Sequence, residues 1–300
     1  MDLMEFCELA ETTVRERFGD GYEISRSEML QNNGVIRRGI SARKKGGKMA
    51  PNLYLEPFYR KLERGVPESV ILDTVCEILK RCEPEEEPDL DFYLDFEKVK
   101  SGICLRLIGR EQNEELLRQV PFLPFLDLAI VFFYLLPDTG GEVNASVLIR
   151  NSHLEIWEIG TSELMQAASE AAPKCLPASL RPMAEIFAER LGLPLETVER
   201  EFPGGTWFHV LTNKNCYYGA SAILYPGVVS KLSETVGGNL YIIPSSVNEL
   251  LILRADPEVS PEYLGEMIRE VNRTEVPAEE VLSDHLYFFD SAEHKFAICS

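Results

Sequence analysis

The segment from Leu126 to Leu136 constrains the fold most, because every position in it except Asp127 is apolar. A strand that is apolar on both faces must be covered on both faces, so the pattern predicts a central strand of a sheet. The longer apolar stretch from Phe122 to Pro137 contains Pro124 and Asp127, and it is shorter than the roughly 20 apolar residues that a membrane-spanning helix needs. We therefore expect no membrane partner.

Strand-like and helix-like patterns are interspersed along the rest of the chain. The Asn32-Asn33-Gly34 sequence between two strand-like runs predicts a β-hairpin, because Asn and Gly tolerate positive φ. Hydrophobic spacing predicts helices at 2–18, 52–64, 67–82, 161–171, 179–191, 228–236 and 260–271. It predicts strands at 103–108, 126–136, 143–149, 154–159, 207–212, 240–243, 250–253, 285–289 and 295–298.

Strand pairs with short connections and interspersed helices predict an α+β fold with mixed, largely antiparallel sheets and packed helices. We expect two closely associated halves. Residues 1–150 would form an N-terminal half that carries a basic hairpin, and residues 151–300 a C-terminal half. A single continuous domain is the alternative.

Composition indicates a cytoplasmic protein. The first eight residues have neither a basic start nor an apolar segment, so they do not resemble a secretory signal. Seven cysteines at irregular positions, without a CxxC pair, are typical of free thiols in a reducing compartment. The net charge of −19 disfavours nucleic acid as a partner, because phosphates repel an acidic body.

Several common chemistries have no motif in the sequence. There is no glycine-rich phosphate loop, no HExxH and no GxSxG, and the four histidines at 153, 209, 285 and 294 are never within four residues of one another. We therefore expect no metal and no cofactor.

A basic run lies within twelve residues of this acidic chain. Its six cations are Arg37, Arg38, Arg43, Lys44, Lys45 and Lys48. The run is interpreted as an arm that contacts an acidic partner, or as a solvated hairpin edge that discourages aggregation. A third interpretation pairs it with the acidic segment at 83–97, which carries eight acids and is itself predicted to be a solvated junction.

The segment from Pro244 to Glu249 follows a predicted strand and offers Ser245, Ser246, Asn248 and Glu249 as candidate binding residues. Such polar groups at a sheet edge are suited to ligand recognition. The Ser246 and Glu249 spacing is also that of a helix capping box, which is a structural interpretation.

Asp284 and Asn272 complete the candidate binding residues. Asp284 and His285 are adjacent, so on a strand their side chains point apart. A serine–histidine–aspartate site would need Ser245 or Ser246 brought close by folding. A metal site of His209, Glu249, Asp284 and His285 is conceivable, but the spacing does not support it.

The segment from Thr206 to Asn213, with Tyr217 and Tyr218 after it, supplies aromatic rings that either stack on a ligand or pack in the core.

Several segments of the chain resemble an uncharacterised family of bacterial cytoplasmic proteins, a domain-of-unknown-function family. They are Pro51 to Glu56 with Phe58, Tyr59 and Gly65; Phe125 to Ala129; Leu211 to Asn213 with Gly219 and Ala220; Pro244 to Ser246 with Glu249; Val271 and Asn272; and Leu282 to Asp284 with Tyr287. The resemblance spans about residues 20–290 and is most specific from 211 to 287. In the family that the chain resembles, a histidine is common at the position that Asn248 occupies here. The resemblance implies no activity.

We therefore expect a non-enzymatic binding or regulatory module that takes a protein or a small molecule at Pro244 to Glu249, Asn272 and Asp284. The alternative is a hydrolase, metal-assisted or not, that uses Glu249 and Asp284 with His285 or His209. Convergence of these side chains in one pocket favours the hydrolase, whereas their use in caps and turns favours the binding module.

Overall fold

The computed structural model describes residues 1–47, 52–82, 94–136, 146–201 and 208–299. Contacts divide the chain into two compact units, Met1–Asp91 and Phe92–Ser300. The division expected near residue 150 stays a prediction. Of the predicted acidic junction, residues 83–93 lie outside the described ranges.

The N-terminal unit packs helices against a small antiparallel sheet of order β1-β2-β3. Its elements are α1 (Leu3–Phe18), β1 (Tyr22–Leu30), β2 (Ile36–Lys44), β3 (Asn52–Tyr54), α2 (Glu56–Glu63) and α3 (Glu68–Arg81). The predicted hairpin is confirmed, with Tyr22 opposite Lys44. The turn uses positive φ at Asn33 and Gly34 (58° and 71°), which these residue types tolerate.

A hydrophobic core of its own holds the N-terminal unit together. The amphipathic spacing of α1 buries Phe6, Cys7, Ala10 and Val14, and these side chains join Ile40, Leu55, Val75 and others in one cluster. The helix predicted from residue 52 is wrong at its start, because Asn52–Tyr54 pairs with β2 as a third strand.

The second unit alternates helices and strands. Up to residue 175 its elements are α4 (Phe96–Val99), β4 (Ile103–Gly109), α5 (Glu114–Leu117), β5 (Phe122–Phe125), β6 (Leu128–Leu135), β7 (Ser146–Leu148), α6 (Asn151–Trp157) and α7 (Thr161–Cys175). From residue 178 they are β8 (Ala178–Pro182), α8 (Met183–Leu191), α9 (Leu195–Glu201), β9 (His209–Asn213), α10 (Val228–Val236), β10 (Leu240–Ser246), β11 (Glu249–Arg254), α11 (Pro261–Thr274), β12 (Tyr287–Asp290) and β13 (Lys295–Ile298).

Within the described residues, two antiparallel sheets organise this unit. In the first, β6 pairs with β4 along one edge and with β5 and β7 along the other. Leu128 to Tyr134 are all buried, so the central strand expected from the sequence is confirmed. The second sheet has the order β13-β12-β10-β11-β9-β8. Apolar residues from both sheets, together with α7, form one core, and the predicted α+β class is confirmed.

Helix α11 covers the other face of the second sheet. Leu264 and Ile268 on α11 pack with Tyr241, Ile243, Leu253 and Leu286 from the strands and the segment before β12. Ser260 caps the helix by accepting a hydrogen bond from the Tyr263 amide at 3.2 Å.

In the second unit, two predicted elements are wrong. The strand expected at 154–159 is the end of α6, because Trp157 turns inward at helical spacing and packs against Phe96. The helix expected from 179 begins only at Met183. Arg181 precedes a proline, which disfavours helical backbone, and Ala178–Pro182 pairs with β9 instead.

Among the helices that the described ranges contain, none combines the length and the apolar character needed to cross a bilayer.

Candidate active surface around Asp127

The carboxylate of Asp127 gathers three side chains from one distant segment. Its Oδ2 accepts hydrogen bonds from Ser283 Oγ at 2.7 Å and from His285 Nδ1 at 3.1 Å, and its Oδ1 accepts one from Tyr287 Oη at 2.7 Å. Ser283, His285 and Tyr287 are two residues apart, and the period of an extended chain places them on one face. We name these four residues the Asp127 cluster.

A strained hairpin turn sets the position of Asp127. Phe125 pairs with Leu128, so Leu126 and Asp127 form the two-residue turn between β5 and β6. Leu126 has a φ of 55°, a left-handed conformation that is unusual for a bulky residue and costs about 1 kcal/mol or more. Its side chain packs against the core, and the Asp127 carbonyl accepts from the Arg110 amide at 3.0 Å. The packing of Leu126 and the hydrogen bond from Arg110 together stabilise the turn.

Proton positions in the cluster follow from the chemistry of the partners. A carboxylate oxygen accepts the hydrogen bond here, so Nδ1 of His285 is the donor to Asp127 Oδ2, and Nε2 lies on the far side of the ring. The His285 side chain is 47% exposed, whereas that of Asp127 is 25% exposed. Burial and the nearby charge of Asp127 both raise the pKa of Tyr287, which keeps its hydroxyl protonated as a donor.

Asp284 takes a different partner from its neighbour His285. Its Oδ1 accepts from the Asn272 side-chain amide at 2.8 Å, and the same amide donates to the Ser283 carbonyl at 2.9 Å. Asn272 lies on α11, so Asp284 faces the helix-covered side of the sheet while His285 faces the first sheet. Asp284 and His285 therefore do not act on one ligand from a common pocket.

The segment from Pro244 to Glu249 is a hairpin turn and not a helix cap. Ser246 pairs with Glu249 in the β10–β11 register, which leaves Val247 and Asn248 as the turn. Ser246 Oγ accepts from the Asn248 amide at 3.1 Å, and Ser245 Oγ lies 3.4 Å from Glu249 Oε1. The capping-box interpretation is wrong, because the apolar residues that follow Glu249 alternate as a strand.

Asn248 fixes this hairpin to the aromatic segment before it. Its Oδ1 accepts from the Tyr218 amide at 3.1 Å, and its carbonyl accepts from Thr212 Oγ1 at 2.7 Å. Gly219 is required here, since a Cβ would lie 2.5 Å from the Asn248 carbonyl oxygen. Asn248 is thus a structural link.

The aromatic rings after β9 pack inside the second unit. Tyr217 and Tyr218 lie 4.2 Å apart, and Arg106 stacks on Tyr218 with its guanidinium carbon 4.2 Å from the ring centre. Tyr217 also bonds Ser146 at 2.7 Å, and both rings contact Phe133. These contacts support core packing, whereas Thr206 and Trp207 lie outside the described residues.

The two candidate carboxylates, Glu249 and Asp284, have no cationic partner among the described residues. Glu249 is two residues before Leu251, and Asp284 two before Leu286; both leucines pack toward α11. Alternation therefore places Glu249 and Asp284 on the α11 side of the sheet. Neither pairs with a lysine or arginine that the structure describes. Their unit, residues 92–300, carries 30 acidic against 16 basic residues.

The histidines do not assemble into a metal site in the described part of the chain. No group of three His, Cys, Asp or Glu side chains there is arranged to hold an ion. His209 lies in β9, where burial lowers the pKa of its imidazole and its Nδ1 has no partner among the described atoms.

The basic run is largely paired within its own unit. Arg43 pairs with Glu23 across the β1–β2 hairpin, Arg38 Nε lies 3.2 Å from Glu28, and Arg37 is 3.9 Å from Glu56. Lys44 and Lys45 follow at the end of β2, and Lys48 lies outside the described residues. This placement favours the interpretation of the basic run as a hairpin edge whose charges are neutralised by acidic side chains of the same unit.

Sequence reasoning missed Asp127 as the organiser of the site. The signal was present, because Asp127 is the single charged residue in the longest apolar run. A charge there needs partners, and the alternating Ser283, His285 and Tyr287 supply them from 156 to 160 residues away.

The fold and the Asp127 cluster define an α+β protein with a polar cluster between the β5–β6 turn and the segment leading into β12. The chain belongs to DUF5688, a family of unknown function, whose sequence model matches residues 3–291. The resemblance to an uncharacterised family is thereby confirmed. No curated protein and no solved structure matches the chain.

Proposed function

We propose that the protein is a binding module that recognises a cationic group of its partner through Glu249 and Asp284. The observation that carries the proposal is the placement of these two carboxylates on one side of the sheet without a described cation. Ser245, Ser246, Asn248 and Asn272 support the surface by holding the hairpin turn and Asp284 in place.

The partner's chemistry follows from charge. The unit's excess of acids attracts a basic peptide or an amine and repels nucleic acid. All seven cysteines are free thiols, which supports placement in a reducing cytoplasm, and the family resemblance favours a bacterial source.

Titration with a labelled peptide rich in lysine and arginine tests the proposal. An acidic peptide of equal length is the control. We expect the basic peptide to bind and the acidic one not to bind. The Glu249→Gln, Asp284→Asn double variant should weaken binding about three- to tenfold, since each exposed charge pair contributes about 0.2–1 kcal/mol.

The matched control removes the same charge elsewhere in the unit. Glu196→Gln with Glu199→Gln changes two exposed carboxylates on α9 and leaves Glu249 and Asp284 intact. Equal weakening by both double variants would mean that net charge alone attracts the peptide, and the proposed surface would be wrong.

A hydrolase is the second candidate, and the Asp127–His285 hydrogen bond favours it. A histidine oriented by a carboxylate is suited to accept a proton from an attacking water or hydroxyl through Nε2, for which the described residues supply no partner. The expected trio of Glu249, Asp284 and His285 does not support it, because Asp284 and His285 face opposite sides. Hydrolysis of p-nitrophenyl acetate that His285→Gln abolishes, with folding retained, would favour the hydrolase over the binding module.

A further inference from the structure

The guanidinium group of Arg106 has no carboxylate partner among the described residues. Arg106 is in the middle of β4, opposite Val131 of β6, and its guanidinium carbon lies 4.2 Å from the centre of the Tyr218 ring. Its Nη1 lies 3.4 Å from Tyr218 Oη. Its Nε is buried and has no hydrogen-bond acceptor in the described part of the chain. A buried N–H donor without an acceptor costs free energy, so a further acceptor is expected there.

Arg181 shows how the same unit neutralises an arginine of similar burial. Among the described arginines after residue 91, Arg106 and Arg181 are the two that are partly buried, and the others are exposed. Arg181 pairs with Glu185 and Glu189, whose carboxylates lie 3.7 and 2.6 Å from it. Arg106 makes no such pair with a described residue, although its unit carries 30 acidic and 16 basic residues. The absence of a counter-charge leaves Arg106 able to pair with an anion from solution.

The neighbours of Arg106 fix its position and offer hydroxyl groups. Tyr217 and Tyr218 lie 4.2 Å apart, and both rings contact Phe133 in the core. Ser146 Oγ and Tyr217 Oη lie 2.7 Å apart. Burial raises the pKa of Tyr217, so its hydroxyl keeps its proton at neutral pH. We name Arg106, Ser146, Tyr217 and Tyr218 the Arg106 cluster, and all four are partly exposed, so the cluster reaches the surface.

The chemistry of the Arg106 cluster selects the class of anion. A guanidinium group is a planar fork that matches the two oxygens of a carboxylate. It carries one positive charge within an acidic unit, which favours a singly charged carboxylate over a doubly charged phosphate. Repulsion from distant acids is screened beyond about 8–10 Å at physiological salt, so a small anion can still approach.

We propose that the Arg106 cluster is a binding site for a small monocarboxylate. The ligand carboxylate pairs with the Arg106 guanidinium and supplies the acceptor that Nε lacks, and the hydroxyl groups beside it donate further hydrogen bonds. Stacking on Tyr218 holds the guanidinium in place before the ligand arrives, which lowers the entropic cost of binding. The site uses neither Glu249 nor Asp284, so it does not depend on the function proposed above.

Equilibrium dialysis of the full chain against radiolabelled benzoate at constant ionic strength tests the proposal. We expect saturable binding at a single site. Acetate should displace benzoate, whereas benzamide, which has the same ring without the charge, should not. Inorganic phosphate should compete more weakly than acetate. Displacement by benzamide as effective as that by acetate would show that the ring and not the carboxylate is recognised, and tighter binding of phosphate would show a phosphate site; either result would overturn the proposal.

Variants place the binding at Arg106. Arg106→Gln should weaken benzoate binding at least about tenfold, because the charge-assisted hydrogen bonds are lost. Arg106→Lys keeps the charge without the fork and should bind with intermediate affinity. It replaces Arg106→Gln in the comparison if that variant does not fold. The matched control, Arg254→Gln, removes an exposed arginine of β11 that has no ion-pair partner among the described residues, and its affinity should stay within about twofold of the original.

Two results of these measurements would contradict the site. Equal weakening by the Arg106 and Arg254 variants would mean that net charge alone attracts benzoate. Absence of saturable binding in the unaltered chain would overturn the proposal directly, and that measurement needs no variant to fold.

Discussion

The Tyr287 hydroxyl is the most buried donor to the Asp127 carboxylate. Tyr287 is 2% exposed, and its hydroxyl lies 2.7 Å from Asp127 Oδ1. Tyr287→Phe removes this donor and leaves a carboxylate oxygen with one partner fewer. Since hydrogen bonds to charged groups contribute about 1.5–3 kcal/mol, we expect a loss of about 2 kcal/mol in the free energy of unfolding, measured by urea denaturation.

A tyrosine on the surface of the same unit gives the control for this prediction. Tyr263 on α11 is 66% exposed, so Tyr263→Phe should change stability by less than about 0.5 kcal/mol. If Tyr287→Phe were equally neutral, the hydroxyl would not stabilise Asp127.

Cys175 should stand out from the other thiols in its dependence on pH. Its pKa of about 7 means that the thiolate fraction, and with it the rate of alkylation, rises as pH increases through about 7. We expect iodoacetamide to label Cys175 at half its maximal rate near pH 7, followed by mass spectrometry of the tryptic peptides. In Cys104→Ala the half-point should move upward, because Cys104 is the group that most lowers the pKa of Cys175.

At the residue scale, the sequence drew attention to the segment that supplies three members of the Asp127 cluster, but not to Asp127 itself. Ser283, Asp284 and His285 were singled out, and the opposed directions of Asp284 and His285 follow from alternation alone. The bond from His285 to Asp127 spans 158 residues, and no local pattern encodes such a pairing. Asp127 was visible only as a charge in an apolar run.

The β1–β2 hairpin is the element in which charge and structure are most closely linked. The cations of β2 face acids on β1 and α2, and the Arg43 and Glu23 side chains are both about half exposed. Exposed ion pairs contribute about 0–1 kcal/mol each to the free energy of unfolding. The register of the hairpin depends on all nine residue pairs between β1 and β2.

Replacing Arg43, Lys44, Lys45 and Lys48 with Ala should therefore leave the hairpin folded. We expect the circular dichroism spectrum to be unchanged and the free energy of unfolding to fall by no more than about 2 kcal/mol. Any association with an acidic partner that depends on salt should disappear in pull-downs at low salt. A folded variant that keeps the same salt-sensitive partners would exclude the basic run as a docking arm.

At the element scale, segments with strong hydrophobic periodicity were predicted with the correct bounds. Segments whose structure depends on pairing with a distant strand were not. The helix at Val228–Val236 and the strand at Lys295–Ile298 have the predicted bounds. The strand at Ala178–Pro182 was hidden inside a helical pattern, because its pairing with β9 outweighs the local preference. The Ser246–Glu249 spacing fits both a helix cap and a two-residue hairpin, and only the pairing of β10 with β11 decides between them.

The two compact units have separate hydrophobic cores, which makes their stabilities separable. Phe6 and Phe132 are both 0% exposed, in the first and second unit respectively. Both tryptophans, Trp157 and Trp207, lie after residue 91, so tryptophan fluorescence reports on the second unit. Circular dichroism reports on both.

We expect Phe6→Ala to lower the stability of the first unit by about 3–5 kcal/mol, with a shift in the dichroism transition and none in fluorescence. Phe132→Ala should shift the fluorescence transition by a similar free energy. Coincident shifts in both probes for both variants would show that the chain unfolds as one cooperative body.

The Asp127 cluster also dictates an order of events during synthesis. Asp127 leaves the ribosome 156 to 160 residues before Ser283, His285 and Tyr287 do. At elongation rates of about 5–20 residues per second, the Asp127 carboxylate waits about 8–30 seconds for its donors. During that interval the Arg110 amide can already bond the Asp127 carbonyl, whereas the Asp127 carboxylate lacks its three side-chain donors. The Asp127 cluster is therefore completed only when the segment leading into β12 arrives, and a chain released before Tyr287 leaves the Asp127 carboxylate without that donor.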